Sequence, residues 1–227
     1  MTIPDHPLQP GDPAPSFRLP AVNRDGVVSL EDYRGKSPVM LGLFKGLHCP
    51  FCRRHIARMA KVGDKLADQG IATLAIVATQ LDRARQYFQY RPSRMELATD
   101  PEVQIHRAFG VVEGRILPDT TDPRDLQWPK TATMAQIMSL SINPNGQLPE
   151  KMPLMAASEL LNKQDGFEMT GVDMQMAAAH MTQFNSQFLI DANGMIRWSF
   201  VEAQNSPEDL CSAPGEEEMV AAARAIM

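Results

Sequence analysis

The sequence is poor in cysteine, with three in 227 residues. A secreted disulfide framework normally carries an even and denser set, so this count points instead to an intracellular protein with reactive or metal-binding thiols. The opening MTIPDHPLQPGDPAPSF lacks a basic start followed by an apolar run, so no signal peptide is expected. The longest strongly apolar stretch, IATLAIVA, is far too short to span a bilayer, and a cytoplasmic protein without membrane contact is the expectation. A net charge of −5 and a pI near 5.5 leave no basic surplus for wholesale nucleic-acid binding.

One local absence is sharper. Between Asp32 and Asp64 there is no acid, while Arg34, Lys36, Lys45, Arg53, Arg54, Arg58 and Lys61 are basic. Inside this window lies LGLFKGLHCPFCRRHIARM, with Cys49 and Cys52 two residues apart.

With 44% apolar content the chain has material for one domain, 1–227, with an insertion. Residues 1–15 read as an extended arm, and SFRLPAVNRDGVVSL as a hairpin turning at Asp25-Gly26. PVMLGLF is a continuous apolar run, which predicts a strand buried on both faces. From about Cys52 to Gln69 the period becomes helical. Ile56, Met59, Gly63 and Leu66 share one stripe, and Arg54, Arg58, Lys61 and Lys65 lie elsewhere on the surface. IATLAIVA, LDRARQYFQY and MELATD continue as strand, helix and strand. Asp100-Pro101 then offers an N-cap and first turn for EVQIHRAFG. This alternation predicts an α/β fold with parallel strands joined by crossovers. QFLIDANGMIRWSFV reads as a closing hairpin through Ala192-Asn193-Gly194, and 216–226 as a last helix. Residues from roughly 111 to 183 break the rhythm, are rich in Met and Pro, and read as the insertion.

The cysteine pair has three readings. A structural zinc site needs four ligands, usually as two pairs, and the sequence has no second Cys or His pair, so no metal is expected. An inert core pair is the bland alternative. The redox reading has physical support, because a pair between a buried strand and a helix start meets free N–H groups and a partial positive charge, both of which favour a thiolate. The basic surplus acts in the same direction and attracts anionic substrates. Arg58 and Lys61 read as solvated helix surface. Arg53 and Arg54 read equally well as functional or decorative, and His48 as a tuning group or a surface group.

GDPAPSFRLPAVNRDGVVSLEDYRGKSPVMLGLFKGLHCPFCRRHI resembles the opening of the peroxiredoxin-like redoxins, the alkyl hydroperoxide reductase and thiol-specific antioxidant superfamily. The likeness continues through ATDPEVQIHRAFGV and QFLIDANGMIRWSF, covering 10–112 and 184–202 and hardly touching the Met-rich block. It implies a thioredoxin-like fold, a central mixed sheet flanked by helices, with the reactive cysteine at the N-terminus of the first long helix. Cys-Pro-Phe-Cys is also similar to the glutaredoxin type of motif. The chain departs from the family at Gly46, where a Thr or Ser is usual, at Gly42, where proline is usual, and at Asn185, where arginine is usual. The cis-proline of thioredoxins is absent there too. Lys45, His48 and Arg53 are candidate replacements for the lost donors, with Arg54 beside them.

What the resemblance implies is a thiol peroxidase without cofactor: Cys49 attacks a hydroperoxide, Cys52 resolves the sulfenic acid, and thioredoxin, glutaredoxin or glutathione restores the dithiol. The same pair also suits a dithiol–disulfide oxidoreductase acting on protein or glutathione disulfides. A redox sensor or binding scaffold using the Met-rich block as an adaptable surface is a third reading. Cys211 is an alternative resolving thiol, although a single buried or surface thiol is the preferred reading. The family also implies a homodimer.

Overall fold

A strand with no alternation must be covered on both sides, and the fold supplies both covers. The computed structural model describes residues 3–111 and 113–226. The chain opens with an antiparallel hairpin, β1 (Arg18–Pro20) and β2 (Val27–Ser29). The apolar run is β3 (Val39–Phe44), with every residue buried. Helix α1 (Pro50–Ala67) leads to β4 (Ala72–Val77), and α2 (Leu81–Gln89) leads to β5 (Glu96–Thr99). After α3 (Gln104–Ala108) the chain leaves the sheet. It returns as β10 (Ser186–Ile190) and β11 (Ile196–Val201), before the last helix α7 (Glu216–Arg224).

The central sheet has the order β11-β10-β3-β4-β5. β3, β4 and β5 run parallel, with Val39 beside Ala72 and Leu74 beside Glu96, while β10 runs antiparallel to both its neighbours. This is the mixed α/β architecture expected. The predicted stripe of α1 is its buried face, with Ile56, Met59 and Leu66 packed in the core. Lys65 on the opposite face pairs with Glu216 of α7.

Three boundaries differ from the sequence reading. The first hairpin turns through Ala21–Gly26, a longer loop than the Asp25-Gly26 pair suggested, because Val22 and the Asn23 side chain hydrogen-bond to the β5 region. α1 begins a half-turn earlier, at Pro50, with Cys49 itself as N-cap. α3 begins later, at Gln104. Val103 takes a left-handed conformation (φ 47°), and the Asp100 carboxylate accepts from Ile105 N–H at 2.7 Å, one residue inside the helix.

Among the described residues, the segment between α3 and β10 contributes no strand to the central sheet. It contains β6 (Arg115–Leu117) paired with β7 (Thr131–Thr133), then α4 (Met134–Ser139). A short pair, β8 (Ser141–Ile142) and β9 (Met152–Pro153), precedes α5 (Leu154–Asp165) and α6 (Gly171–Ala179). Capping boxes at Thr133 and Thr170 start α4 and α6. The segment lies over the N-terminal end of α1. Arg53 and Arg54 both bond Asp165, and Arg83 of α2 pairs with buried Asp173 at 2.7 Å. Phe167 sits under the Arg53 guanidinium, 3.8 Å from ring centroid to carbon. No helix among the described residues is long and apolar enough to cross a membrane.

Candidate active site at the start of α1

The chain leaves β3 at Phe44 and turns through Lys45–His48 to reach the helix, and this turn places every group around the thiols. Cys49 is the N-cap of α1, and its Sγ accepts the backbone N–H of Cys52 at 3.3 Å. A cap position normally holds an oxygen acceptor; sulfur here takes the same orphan N–H, and the helix dipole favours negative charge on it. Cys49 is buried except for 8% of its surface, and Cys52 is fully buried.

Beneath the pair runs a chain of buried polar groups. Asn185 Oδ1 accepts the Lys45 backbone N–H at 2.9 Å and the Cys52 thiol at 3.2 Å. The Asn185 backbone N–H and Nδ2 donate to Glu202 at 2.9 and 3.1 Å. Glu202, fully buried, pairs with Lys45 Nζ at 3.1 Å. Each donor atom of this network has at least one acceptor, which favours the persistence of the buried charge pair.

The two thiols are driven apart electrostatically. Burial pushes the Cys49 thiol up, but hydrogen bonding from Cys52 and the Lys45 ammonium outweigh it and lower it to about 7. Burial holds Cys52 well above the ordinary thiol range, and the neighbouring Cys49 adds to this. One sulfur is thus poised as thiolate and the other as thiol. Burial would lower the Lys45 ammonium, yet Glu202 holds it above the usual lysine range. Burial and then Lys45 lower His48 to about 4, so its imidazole is neutral at pH 7.

The geometry accounts for two of the family departures. A Cβ on Gly46 would stand 2.7 Å from the Ala78 carbonyl oxygen and 2.8 Å from His48 Nδ1, and its φ of +134° suits glycine alone. The His48 imidazole fills the room that a threonine at 46 would need. A Cβ on Gly42 would come within 2.6 Å of the Phe44 ring and 2.9 Å of Met59 Sδ.

Cys49 opens onto a cavity of about 830 Å³. Lys45, His48, Pro50 and Phe51 form its base, and the segment from β6 to α6 forms most of the remaining wall. Trp128, Ile137, Met155 and Phe184 make that wall apolar, with Trp128 set edge-on to Phe184. The Met-rich segment therefore covers the cysteine pair.

Of the residues singled out from the sequence, Lys45, His48, Cys49 and Cys52 come together here. Arg53 and Arg54 do not face the sulfurs. Arg53 is buried and bonds Leu47 O at 2.8 Å, Asn162 Oδ1 at 2.7 Å and Asp165 at 3.0 Å. Arg54 is half-buried and bonds Asp165 at 2.8 Å. Their charges hold α5 on α1: Arg54 reaches the surface as expected but is paired with Asp165, and the cation beside the thiols is Lys45. Cys211 is buried, lines the same cavity as Cys49 and takes a left-handed backbone (φ 64°); burial keeps it well above the ordinary thiol range. Glu202 and Gln183 were missed. A lone acid after WSFV and a glutamine in a polar loop carry no local signal of their own. Among the described residues no group of three or more His, Cys, Asp or Glu is placed to hold a metal.

Comparison with known proteins follows the same lines. A Mycobacterium tuberculosis (strain H37Rv) protein provisionally named a peroxiredoxin is 30% identical over 106 residues, spanning 45% of this chain and 64% of that protein. A Haemophilus influenzae protein named in the same way is 27% identical over 106 residues, spanning 47% of this chain and 67% of that protein. Among solved structures, peroxidoxin BcpB of Mycobacterium tuberculosis superposes with a TM-score of 0.56 at 14% identity, covering 97% of this chain and 99% of that one. The reduced 2-Cys peroxiredoxin of Plasmodium vivax gives 0.57 at 16% identity, covering 97% and 82%. A Chlorobium tepidum protein provisionally named a DsbE-type thiol:disulfide interchange protein gives 0.50 at 20%, covering 95% and 99%. These likenesses establish a thioredoxin fold. The AhpC/TSA family model matches residues 10–199, taking in the hairpin, the cysteine pair and the returning strands, and the chain belongs to the AhpC/TSA family.

Proposed function

We propose that the protein is a thiol-dependent peroxidase acting through Cys49 and Cys52. The observation that carries this reading is the split between the two sulfurs, Cys49 lowered to about 7 at a helix N-cap and Cys52 held as a thiol within reach of it. The Cys49 thiolate attacks the terminal oxygen of a hydroperoxide. A sulfur–oxygen bond forms, the oxygen–oxygen bond breaks, and the departing alkoxide or hydroxide takes a proton from water. Cys52 then attacks the sulfenic acid, a disulfide forms and water leaves. A thioredoxin, a glutaredoxin or glutathione returns both sulfurs to thiols by exchange. Neutral His48, lying where the family has its threonine, is the replacement for the missing donor.

The experiment uses Cys52→Ser. One equivalent of hydroperoxide should leave Cys49 as a sulfenic acid that a cyclic diketone traps, whereas the unaltered protein should give a Cys49–Cys52 disulfide by peptide mapping. A Cys49 that stays reduced in Cys52→Ser would refute the reading. A second reading, dithiol–disulfide exchange, is favoured by the charge pair buried under Cys52, since Asn185 and Glu202 offer a route for the Cys52 proton. It predicts rapid reduction of a mixed disulfide with slow peroxide turnover.

A further inference from the structure

Of the three departures from the family pattern, Gly42 and Gly46 have a steric cause, and Asn185 has a chemical one. An arginine side chain carries donors only, so it could not accept a thiol proton. Asn185 is 4% exposed and brings an acceptor as well as a donor to the floor of the site.

Its neighbours settle which way the amide points. Nδ2 donates to the Glu202 carboxylate at 3.1 Å, and Oδ1 accepts the Lys45 backbone N–H at 2.9 Å. A flipped amide would set oxygen against carboxylate and N–H against N–H. The oxygen therefore faces Cys52 Sγ, at 3.2 Å. A carbonyl oxygen only accepts, so this contact is a hydrogen bond while Cys52 carries its proton and at no other time. A disulfide sulfur has no proton to give. Closing a Cys49–Cys52 disulfide thus forfeits the bond.

Cys52 has a single proton, and Cys49 Sγ is a second acceptor for it. Where Cys49 is ionised, its thiolate is the stronger acceptor of the two. Below its value of about 7 the amide oxygen is.

We propose that Asn185 is a positioning residue that sets the redox poise of the pair, holding the Cys52 proton in the dithiol so that the disulfide is readily reduced by a small monothiol such as glutathione. This rests on the Cys49–Cys52 disulfide that both readings above form, and names the class of reductant it suits. A glutathione thiolate attacks one sulfur and the sulfur–sulfur bond breaks. A second glutathione then releases the first as glutathione disulfide. Two electrons pass to the pair, and below pH 7 one proton ends on each sulfur.

Folded protein is equilibrated with glutathione buffers at pH 6, and the dithiol is counted by alkylation and mass. No peroxide takes part. Asn185→Leu should shift the equilibrium about fivefold toward disulfide, one net hydrogen bond, which is about 20 mV for a two-electron couple. At pH 8, where the Cys49 thiolate takes the proton, the shift should shrink. Lost packing or stability common to both redox forms leaves this equilibrium unmoved. Where the leucine variant folds poorly, a second measurement decides. In Cys49→Ala with Cys211→Ala, the Cys52 S–H stretch should lie at lower frequency than that of an alkanethiol in hexane.

An equilibrium unmoved at pH 6, a shift undiminished at pH 8, or an S–H stretch at the free-thiol position would overturn the proposal. Absence of any Cys49–Cys52 disulfide in oxidised glutathione would overturn it together with both readings on which it rests.

Discussion

Replacing Lys45 by Met should slow Cys49 about tenfold at pH 7 toward any electrophile and return it to parity above pH 9. The sign follows from the charge. Cys49 titrates at about 7 instead of 9, and after hydrogen bonding from Cys52 the Lys45 ammonium is the next cause of that lowering. Only the thiolate reacts, so reactivity rises with pH through the folded-state value and levels above it. Without the ammonium the titration moves upward, so the variant lags by a constant factor below the old value, closes the gap between the old value and the new one, and matches the unaltered protein above it. Iodoacetamide alkylation from pH 5.5 to 9.5 measures both curves. The substitution also strands Glu202, which is fully buried. Breaking a buried pair from one side costs about 3–5 kcal/mol, so the single variant should unfold at lower denaturant. Lys45→Met with Glu202→Gln removes the stranded charge. It should recover most of the stability while the alkylation curve moves back only in part, because the Glu202 carboxylate itself raises Cys49; full recovery of both together would show that Lys45 acts only through the fold.

The second large effect concerns the cover over the thiols. Asp165→Ala removes the carboxylate shared by Arg53 and Arg54 and leaves the buried Arg53 guanidinium with Leu47 O and Asn162 Oδ1 as hydrogen-bond acceptors and no counter-charge. Asp165 is partly exposed, so the cost should fall below that of a fully buried pair, about 2–3 kcal/mol. The loss is local, because Asp165 ends α5 and touches no strand of the central sheet. Hydrogen exchange should show α5 amides opening about 30- to 150-fold more often, with β3 and β4 unchanged. Cys49, 8% exposed in the closed form, should alkylate faster in parallel. Uniform loss of protection through β3 and β4 would mean that the segment is part of the cooperative core.

Much of this was legible in the sequence where the signal was local. A non-alternating run from Val39 to Phe44, a Cys-Pro-Phe-Cys turn and an amphipathic stripe in succession identify a buried strand feeding a helix that starts at the cysteine pair. The helical period became visible only from Cys52, two residues after α1 begins at Pro50. The polar chain under Cys52 was not legible, because Asn185 lies 133 residues away and Glu202 looks like any acid at a strand end. Gly46 and Gly42 read as losses from the family pattern. In space they are forced by the His48 ring and by the contacts of Phe44 and Met59. Arg53 and Arg54 looked like a basic surface because their partner Asp165 sits across the fold, in a segment of two- and three-residue strands too short to show a period.

The most direct test of the account is stopped-flow mixing of the fully reduced protein with hydrogen peroxide and, separately, cumene hydroperoxide, following loss of free thiol. The account predicts oxidation far faster than that of an ordinary thiolate by at least one of the two, abolished in Cys49→Ser and retained in Cys52→Ser. Oxidation no faster than free cysteine with both reagents would contradict it and leave disulfide exchange as the chemistry of this pair.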